Sequence, residues 1–116
     1  EGERQKVLIG RALAQCPACL LLDEPTSHLD IRNQFVMLEL IKRLTVTRKL
    51  AVVAVIHDVN LALRFSTRLL FLKDGEMLAY GPPDTVLSEH VLKSLYGMDF
   101  MVSRNGLTTY VQPIFS

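Results

Sequence analysis

Two short apolar runs constrain this chain more than anything else in it. Ala18 to Leu22 and Leu50 to Ile56 are continuous hydrophobic stretches without polar alternation. That is the pattern of parallel strands buried on both faces, not of a half-exposed hairpin. Parallel strands need a crossover, ordinarily a helix. The residues between them supply one: Ile31, Phe35, Leu38 and Ile41 recur at helical spacing, Met37, Leu40 and Leu44 widen the stripe, and Asp30 stands at the cap position. Strand, helix and strand in this order imply an α/β fold with a parallel sheet and flanking helices.

The other segments attach to that unit. Leu8, Ile9, Ala12, Leu13 and Cys16 predict an amphipathic helix over residues 3–16, ended by Pro17. Asp58 can cap a helix running to about Phe65, and Ser88 one that ends near Gly97. Leu69–Leu72 and Met77–Tyr80 flank Asp74-Gly75, and Phe100–Ser103 and Thr108–Val111 flank Asn105-Gly106. Both dipeptides are strong hairpin signals. The expectation is one compact lobe, its parallel sheet trailed by C-terminal β-hairpins.

Composition narrows the class. At 116 residues the chain is one domain's worth, and 49% hydrophobic with 22% charged is ordinary for a globular protein. A net charge of +1 is no bulk polycation, so no nucleic-acid partner is expected. No apolar run approaches the ~20 residues of a membrane span. With no visible signal peptide the expected compartment is the cytosol. The chain opens without a methionine, inside what reads as a helix start, and is expected to be a piece of something larger. Cys16 and Cys19 form a C-x-x-C, a spacing used in redox and zinc sites. Without a second ligand pair they read as two core cysteines of a reduced compartment, with no chemistry assigned.

Sites in open α/β sheets collect at the carboxyl ends of strands. The first apolar run ends in Asp23-Glu24 and the second in His57. An acidic pair alone is a solvated turn, and a lone histidine is ordinary. Together they supply one carboxylate for a divalent cation, one to orient water and an imidazole to touch phosphate. That is a phosphoryl-transfer set.

These residues resemble the ABC ATPases. Cys19-Leu20-Leu21-Leu22-Asp23-Glu24-Pro25 is similar to their Walker-B strand with its adjoining glutamate. Ser27-His28-Leu29-Asp30 resembles the D-loop, His57 falls at the switch histidine, and Gly2-Glu3-Arg4-Gln5 resembles the tail of the signature motif. The four strings occur in family order, and the likeness covers the chain to about Gly81 and less closely beyond it. It implies a partial P-loop NTPase fold, residues 1–81 running from signature helix to switch region and 82–116 forming a C-terminal helix and hairpin extension. It implies ATP as substrate and Mg²⁺ as cofactor, with Asp23 holding Mg²⁺ through water, Glu24 as general base and His57 on the γ-phosphate. Gly2, Glu3 and Gln5 would face the nucleotide of a second ATPase subunit, and Asp30 would lie at the contact between the two. The other partners implied are an integral membrane permease and, indirectly, a periplasmic or surface substrate-binding protein, at the cytoplasmic face of the membrane.

Two departures qualify the likeness. Glu1 stands where the first glycine of the signature would be, and no G-x-x-x-x-G-K-[ST] occurs in these residues. The 116 residues are therefore expected to be inactive by themselves. In the family the P-loop strand lies between the strands corresponding here to residues 50–56 and 69–72. Its absence implies that strand 69–72 moves over to pair with 50–56, that strands pair between copies, as expected here, or that these residues are the ordered or surviving part of a longer chain. Gly81-Pro82-Pro83, Leu87-Ser88-Glu89 and Leu95-Tyr96-Gly97-Met98-Asp99 resemble the importer branch for iron-siderophore, haem and vitamin B12. The alternatives are a soluble ABC ATPase of DNA repair or the ribosome, and a non-catalytic structural or interaction module.

Overall fold

The computed structural model describes residues 2–115, so Glu1 lies outside the described residues. The chain divides into two compact units, the first ending at His57 and the second beginning at Asp58.

The first unit holds α1 (Gly2–Leu13), β1 (Cys19–Asp23), α2 (Ile31–Thr47) and β2 (Ala51–Val55). β1 and β2 pair in parallel, Cys19 opposite Ala51 through to Asp23 opposite Val55, with α2 as the crossover. Asp30 caps α2 as its position predicts: its backbone is extended and its Oδ1 accepts the Asn33 N–H at 2.8 Å. The buried apolar residues of this unit are Ile9, Leu20, Met37, Leu38, Ile41 and Leu50.

The expected burial of both strand faces is corrected here. Leu20 is buried, but Leu21 is 75% exposed, Val53 56% and Val55 50%. Alternate residues of a strand face opposite ways, and these three share the odd-numbered face. Within this unit that face is uncovered. A continuous apolar run reports what a strand is suited to, not what its own unit places against it.

The cysteines are corrected for a related reason. Both are free and exposed. α1 stops at Leu13 because Gln15 N–H and Cys16 N–H bond to the carbonyls of Ala12 and Leu13, at 3.2 and 2.9 Å, and Cys16 turns left-handed at φ 51°. Cys16 thus leaves the helix stripe, and Cys19 lies on the open face of β1.

The second unit holds α3 (Val59–Phe65), β3 (Leu69–Lys73), β4 (Glu76–Gly81), α4 (Pro83–Val86), α5 (Glu89–Tyr96), β5 (Phe100–Asn105) and β6 (Thr108–Pro113). Its core is Leu69, Phe71, Val86, Leu87, Leu92, Phe100 and Val111, against which Val59, Ala62 and Leu63 of α3 pack. The β3–β4 turn has the sequence its signal predicts, with Asp74 at φ 51° and Gly75 at φ 78°. The second turn falls one residue later than Asn105-Gly106 suggests: Asn105 is still paired, opposite Thr108, and Gly106-Leu107 form the loop. Ser88 caps α5 by accepting the Val91 N–H, and Gly97 closes it at φ 72°. Partial burial, and secondarily the charge of Asp58, hold the Tyr96 phenol above its usual pKa.

Among the described residues the strands form three two-stranded sheets, β1–β2, β3–β4 and β5–β6. Strand 69–72 therefore does not move over to pair with 50–56. A tight turn lets β3 and β4 pair at little loop-closure cost, and Leu69–Lys73 stays in its hairpin. Leu70, Leu72, Met77 and Tyr80 of that hairpin are exposed.

Leu92 is fully buried and Leu70 is 48% exposed. Leu92→Ala is expected to destabilise the second unit by about 3 kcal/mol through transfer and cavity terms. Leu70→Ala should cost less than about 1 kcal/mol. Chemical denaturation of the two variants checks the ordering.

Candidate functional site

The site is built where β1 and β2 end. Because the strands are parallel and in register, their carboxyl ends fall together. The ladder then extends one step beyond β1, as the Glu24 N–H donates to the Val55 carbonyl at 3.1 Å. That bond fixes Glu24 relative to the end of β2, two residues before His57. The result is a direct contact: His57 Nε2 lies 2.8 Å from Glu24 Oε1. The imidazole side chain is 77% exposed and the carboxylate 43%, so both are accessible to a ligand from solvent.

Glu24 is held in an uncommon conformation. Its φ is 51°, in the left-handed region, and Pro25 follows it. A non-glycine residue there costs of order 1–3 kcal/mol and persists only where its surroundings dictate it. The surroundings are visible. Pro25 is fully buried and Thr26 nearly so, the Ser27 N–H bonds back to the Glu24 carbonyl at 3.1 Å, and the Leu29 N–H to the Thr26 carbonyl at 3.3 Å. His28 also turns left-handed, at φ 65°. This compact turn leads straight into Asp30 and α2.

The other residues singled out from the sequence stand as follows. Asp23 is exposed at the last position of β1, opposite Val55. The Asp30 carboxylate is engaged as the α2 cap. Gly2 and Glu3 begin α1, Gln5 follows half-buried, and Glu3 lies 3.8 Å from Lys6 on the same helix. A Cβ at Gly2 would meet Leu29 at an ordinary 3.9 Å, so packing within this unit does not require glycine there. Glu24 and His57 are thus in direct contact, and Asp23 is the neighbour of Glu24 in the chain. Among the described residues no group of three or more His, Cys, Asp or Glu is arranged to hold a metal ion. What sequence reasoning missed is the strained backbone of Glu24. Its one sequence signal is the proline that follows, and proline usually implies extended backbone before it.

An adjacent carboxylate and imidazole at the open end of a parallel strand pair can orient a water molecule and accept its proton. They can equally share a proton with an anionic ligand.

No protein-family model matches the chain. An uncharacterised ABC transporter ATP-binding protein of Methanocaldococcus jannaschii is 42% identical over 113 residues, which are 97% of this chain and 44% of that protein. The ferric enterobactin transport ATP-binding protein FepC of Escherichia coli K12 is 38% identical over 101 residues, 87% of this chain and 37% of that one. Among solved structures, an inward-facing ABC transporter of proposed metal-chelate type superposes with a TM-score of 0.86 at 29% identity, covering 98% of this chain and 47% of that one. A dimeric ATP-binding cassette, MJ0796, bound to ADP and Pi in a post-hydrolysis state gives a TM-score of 0.61 at 41% identity, over 70% of this chain and 34% of that one. The chain therefore spans less than half the length of each of them.

The conformation of Glu24 makes a prediction independent of activity. Glu24→Gln should leave stability within about 0.5 kcal/mol of the parent. Glu24→Val places a β-branched side chain in the left-handed region and should cost about 1 kcal/mol or more. Thermal or denaturant unfolding separates the two.

Proposed function

Because the chain is homologous to the ATP-binding proteins of ABC transporters, we propose that it supplies part of the ATP-hydrolysing site of such a transporter, of the importer type that takes up iron chelates or related cargo. The observation that carries the proposal is the His57–Glu24 contact at the joined ends of β1 and β2. The importer reading is supported by the likeness to the ferric enterobactin transport protein FepC, to the petrobactin import ATP-binding protein FpuC of Bacillus anthracis, 38% identical over 112 residues, and to the transporter of proposed metal-chelate type.

In this reading ATP is the substrate, and the reaction is attack of water on the γ-phosphorus with ADP as leaving group. Glu24 accepts the proton of the attacking water. His57 Nε2 has two claimants, the Glu24 carboxylate it lies on and the γ-phosphate it would meet. One N–H cannot serve both at full strength. Arrival of the phosphate therefore draws the imidazole from the carboxylate and leaves Glu24 free to take the water proton. The exposure of both side chains is what allows this exchange.

Magnesium fits the donor set. It keeps several waters and takes one or two carboxylates together with substrate phosphates. A lone exposed Asp23 at a strand end is such a donor. Bound there, the ion would neutralise charge on the phosphates. Asp30 and the first turn of α1, with Gly2, Glu3 and Gln5, would serve a second subunit, a helix N-terminus being suited to phosphate. The dimeric state of the MJ0796 cassette supports that pairing. No helix among the described residues is long and apolar enough to cross a membrane. Attachment at the cytoplasmic face would run through a permease, with a substrate-binding protein delivering cargo on the far side.

Two outcomes test the reading. In the complete gene product with its membrane partner, Glu24→Gln should bind ATP normally while turnover falls by roughly 100-fold or more, and His57→Ala should be comparably impaired. Hydrolysis near the parent rate in Glu24→Gln would remove the general base from this account. The 116 residues alone should show no micromolar MgATP binding by calorimetry, since Asp23, Glu24 and His57 provide little ground-state affinity. Tight binding would contradict that division of roles.

A further inference from the structure

The first unit has a second end, where β1 and β2 begin. Each strand has five residues and is about 13 Å long from first to last. Cys19 and Ala51 therefore lie that far from the strand ends that carry the candidate site. Both helices of the unit run out here, α1 at Leu13 and α2 at Thr47. Between their ends is a cleft of about 480 Å³, lined by Leu13, Cys16, Pro17, Thr47, Arg48 and Leu50. Ligand pockets ordinarily measure roughly 300–1,000 Å³. The apolar part of this one is recessed: Leu50 is buried, and Leu13 and Pro17 are half-buried. Arg48 and Thr47 are exposed at its mouth. The Thr47 hydroxyl donates to the Arg43 carbonyl at 3.0 Å, one helical turn back, so Arg43 shares that face of α2.

The charge at this end has one sign. Arg11, Lys42, Arg43, Arg48 and Lys49 are all exposed, and residues 11–18 and 40–50 contain no Asp or Glu. Glu39 stands one turn before Arg43. Even so, among the described residues none of the five cations has an ion-pair partner. Cations near a helix carboxyl end complement its macrodipole, but that effect fades beyond the last turn. Arg11 in the last turn of α1 and Arg48 at the C-cap of α2 are placed for it. Lys42 and Arg43 are not, since they precede a last turn that holds no basic residue. The surplus is a field that attracts an anionic partner.

The cleft decides which kind. Single-stranded nucleic acid is held by bases stacked on aromatic rings, and residues 11–18 and 40–50 include no aromatic residue. A phosphate backbone would use the cations and leave the recess empty. A lipid surface takes a protruding apolar face, whereas Leu50, Leu13 and Pro17 are sunk below the charged rim. A peptide can satisfy both features, since it carries aliphatic side chains and carboxylates on one backbone.

We propose that this cleft is a docking site for an acidic segment of a partner protein. An aliphatic side chain enters against Leu13, Pro17 and Leu50, and the carboxylates that flank it pair with Arg43 and Arg48. None of Asp23, Glu24 and His57 takes part, so this surface is independent of the hydrolytic reading.

The test measures fluorescence anisotropy of a labelled synthetic peptide, glutamates interspersed with leucines, added to the complete gene product. Arg43→Glu combined with Arg48→Glu reverses the charge beside the cleft. Thr47→Phe fills its mouth without changing the charge. The peptide should bind saturably, less tightly as salt rises, and roughly tenfold or more weakly to either variant. A comparison on the unmodified protein needs no variant to fold: the same peptide with serine in place of leucine should bind roughly tenfold more weakly. No saturable binding at about 1 mM peptide overturns the proposal. So does equal binding of the serine peptide, or of the parent peptide to Thr47→Phe, which would reduce the surface to charge alone. Tighter binding of a polyuridylate strand, or of phosphatidylglycerol vesicles, than of the leucine peptide would assign the surface to nucleic acid or lipid and equally overturn it.

Discussion

The parallel pairing of β1 with β2 is what the site depends on. In an antiparallel pair the ends of the two strands that carry Asp23-Glu24 and His57 would lie at opposite edges. Parallel pairing in this register brings them to one end, and the Glu24 N–H bond to the Val55 carbonyl carries the pairing one residue into the turn. The crossover helix α2 is what makes the parallel arrangement possible. Its cap, Asp30, sits at the end of the same short turn that begins at Glu24. One eight-residue stretch, from Asp23 through the buried Pro25 and Thr26 to Asp30, thus joins the end of β1, with its part of the candidate site, to the start of the crossover helix.

The strain at Glu24 has a consistent place in this picture. An extended residue before Pro25 would carry the chain straight on from β1. The left-handed turn at Glu24 instead folds it back, with Pro25 and Thr26 buried. The cost is met by that burial and by the two turn bonds at Ser27 and Leu29. Held by its backbone in this way, the Glu24 carboxylate meets the His57 imidazole and stays 43% exposed to solvent.

Much of this was legible in the sequence, for reasons that are local. Asp30, Asp58 and Ser88 were recognisable as caps because their short acceptors satisfy N–H groups two or three residues on. Asp74-Gly75 announced its turn because both residues tolerate left-handed backbone. The illegible parts were non-local. The valines of β2 look like core residues, yet their odd-numbered face is open, because burial is decided by what lies opposite. Cys16 looked like the last apolar residue of a helix that in fact ends three residues sooner. The Asn60 side chain bonds to the Val111 main chain across 51 residues, and nothing near either residue signals it. Asp23, Glu24 and His57 were singled out by their positions after apolar runs and by the resemblance those positions carry. Their contact distance and the conformation of Glu24 came only from three dimensions.

The claim at the centre of this account is that Glu24 and His57 act as one unit on a phosphate. A double-mutant cycle on single-turnover ATP hydrolysis by the complete gene product tests it most directly. If the two side chains work together, Glu24→Gln combined with His57→Ala should be no slower than the more impaired single variant, to within about threefold. Losses that multiply, the double variant falling by the product of the two single effects, would show that the residues act independently and would contradict the account.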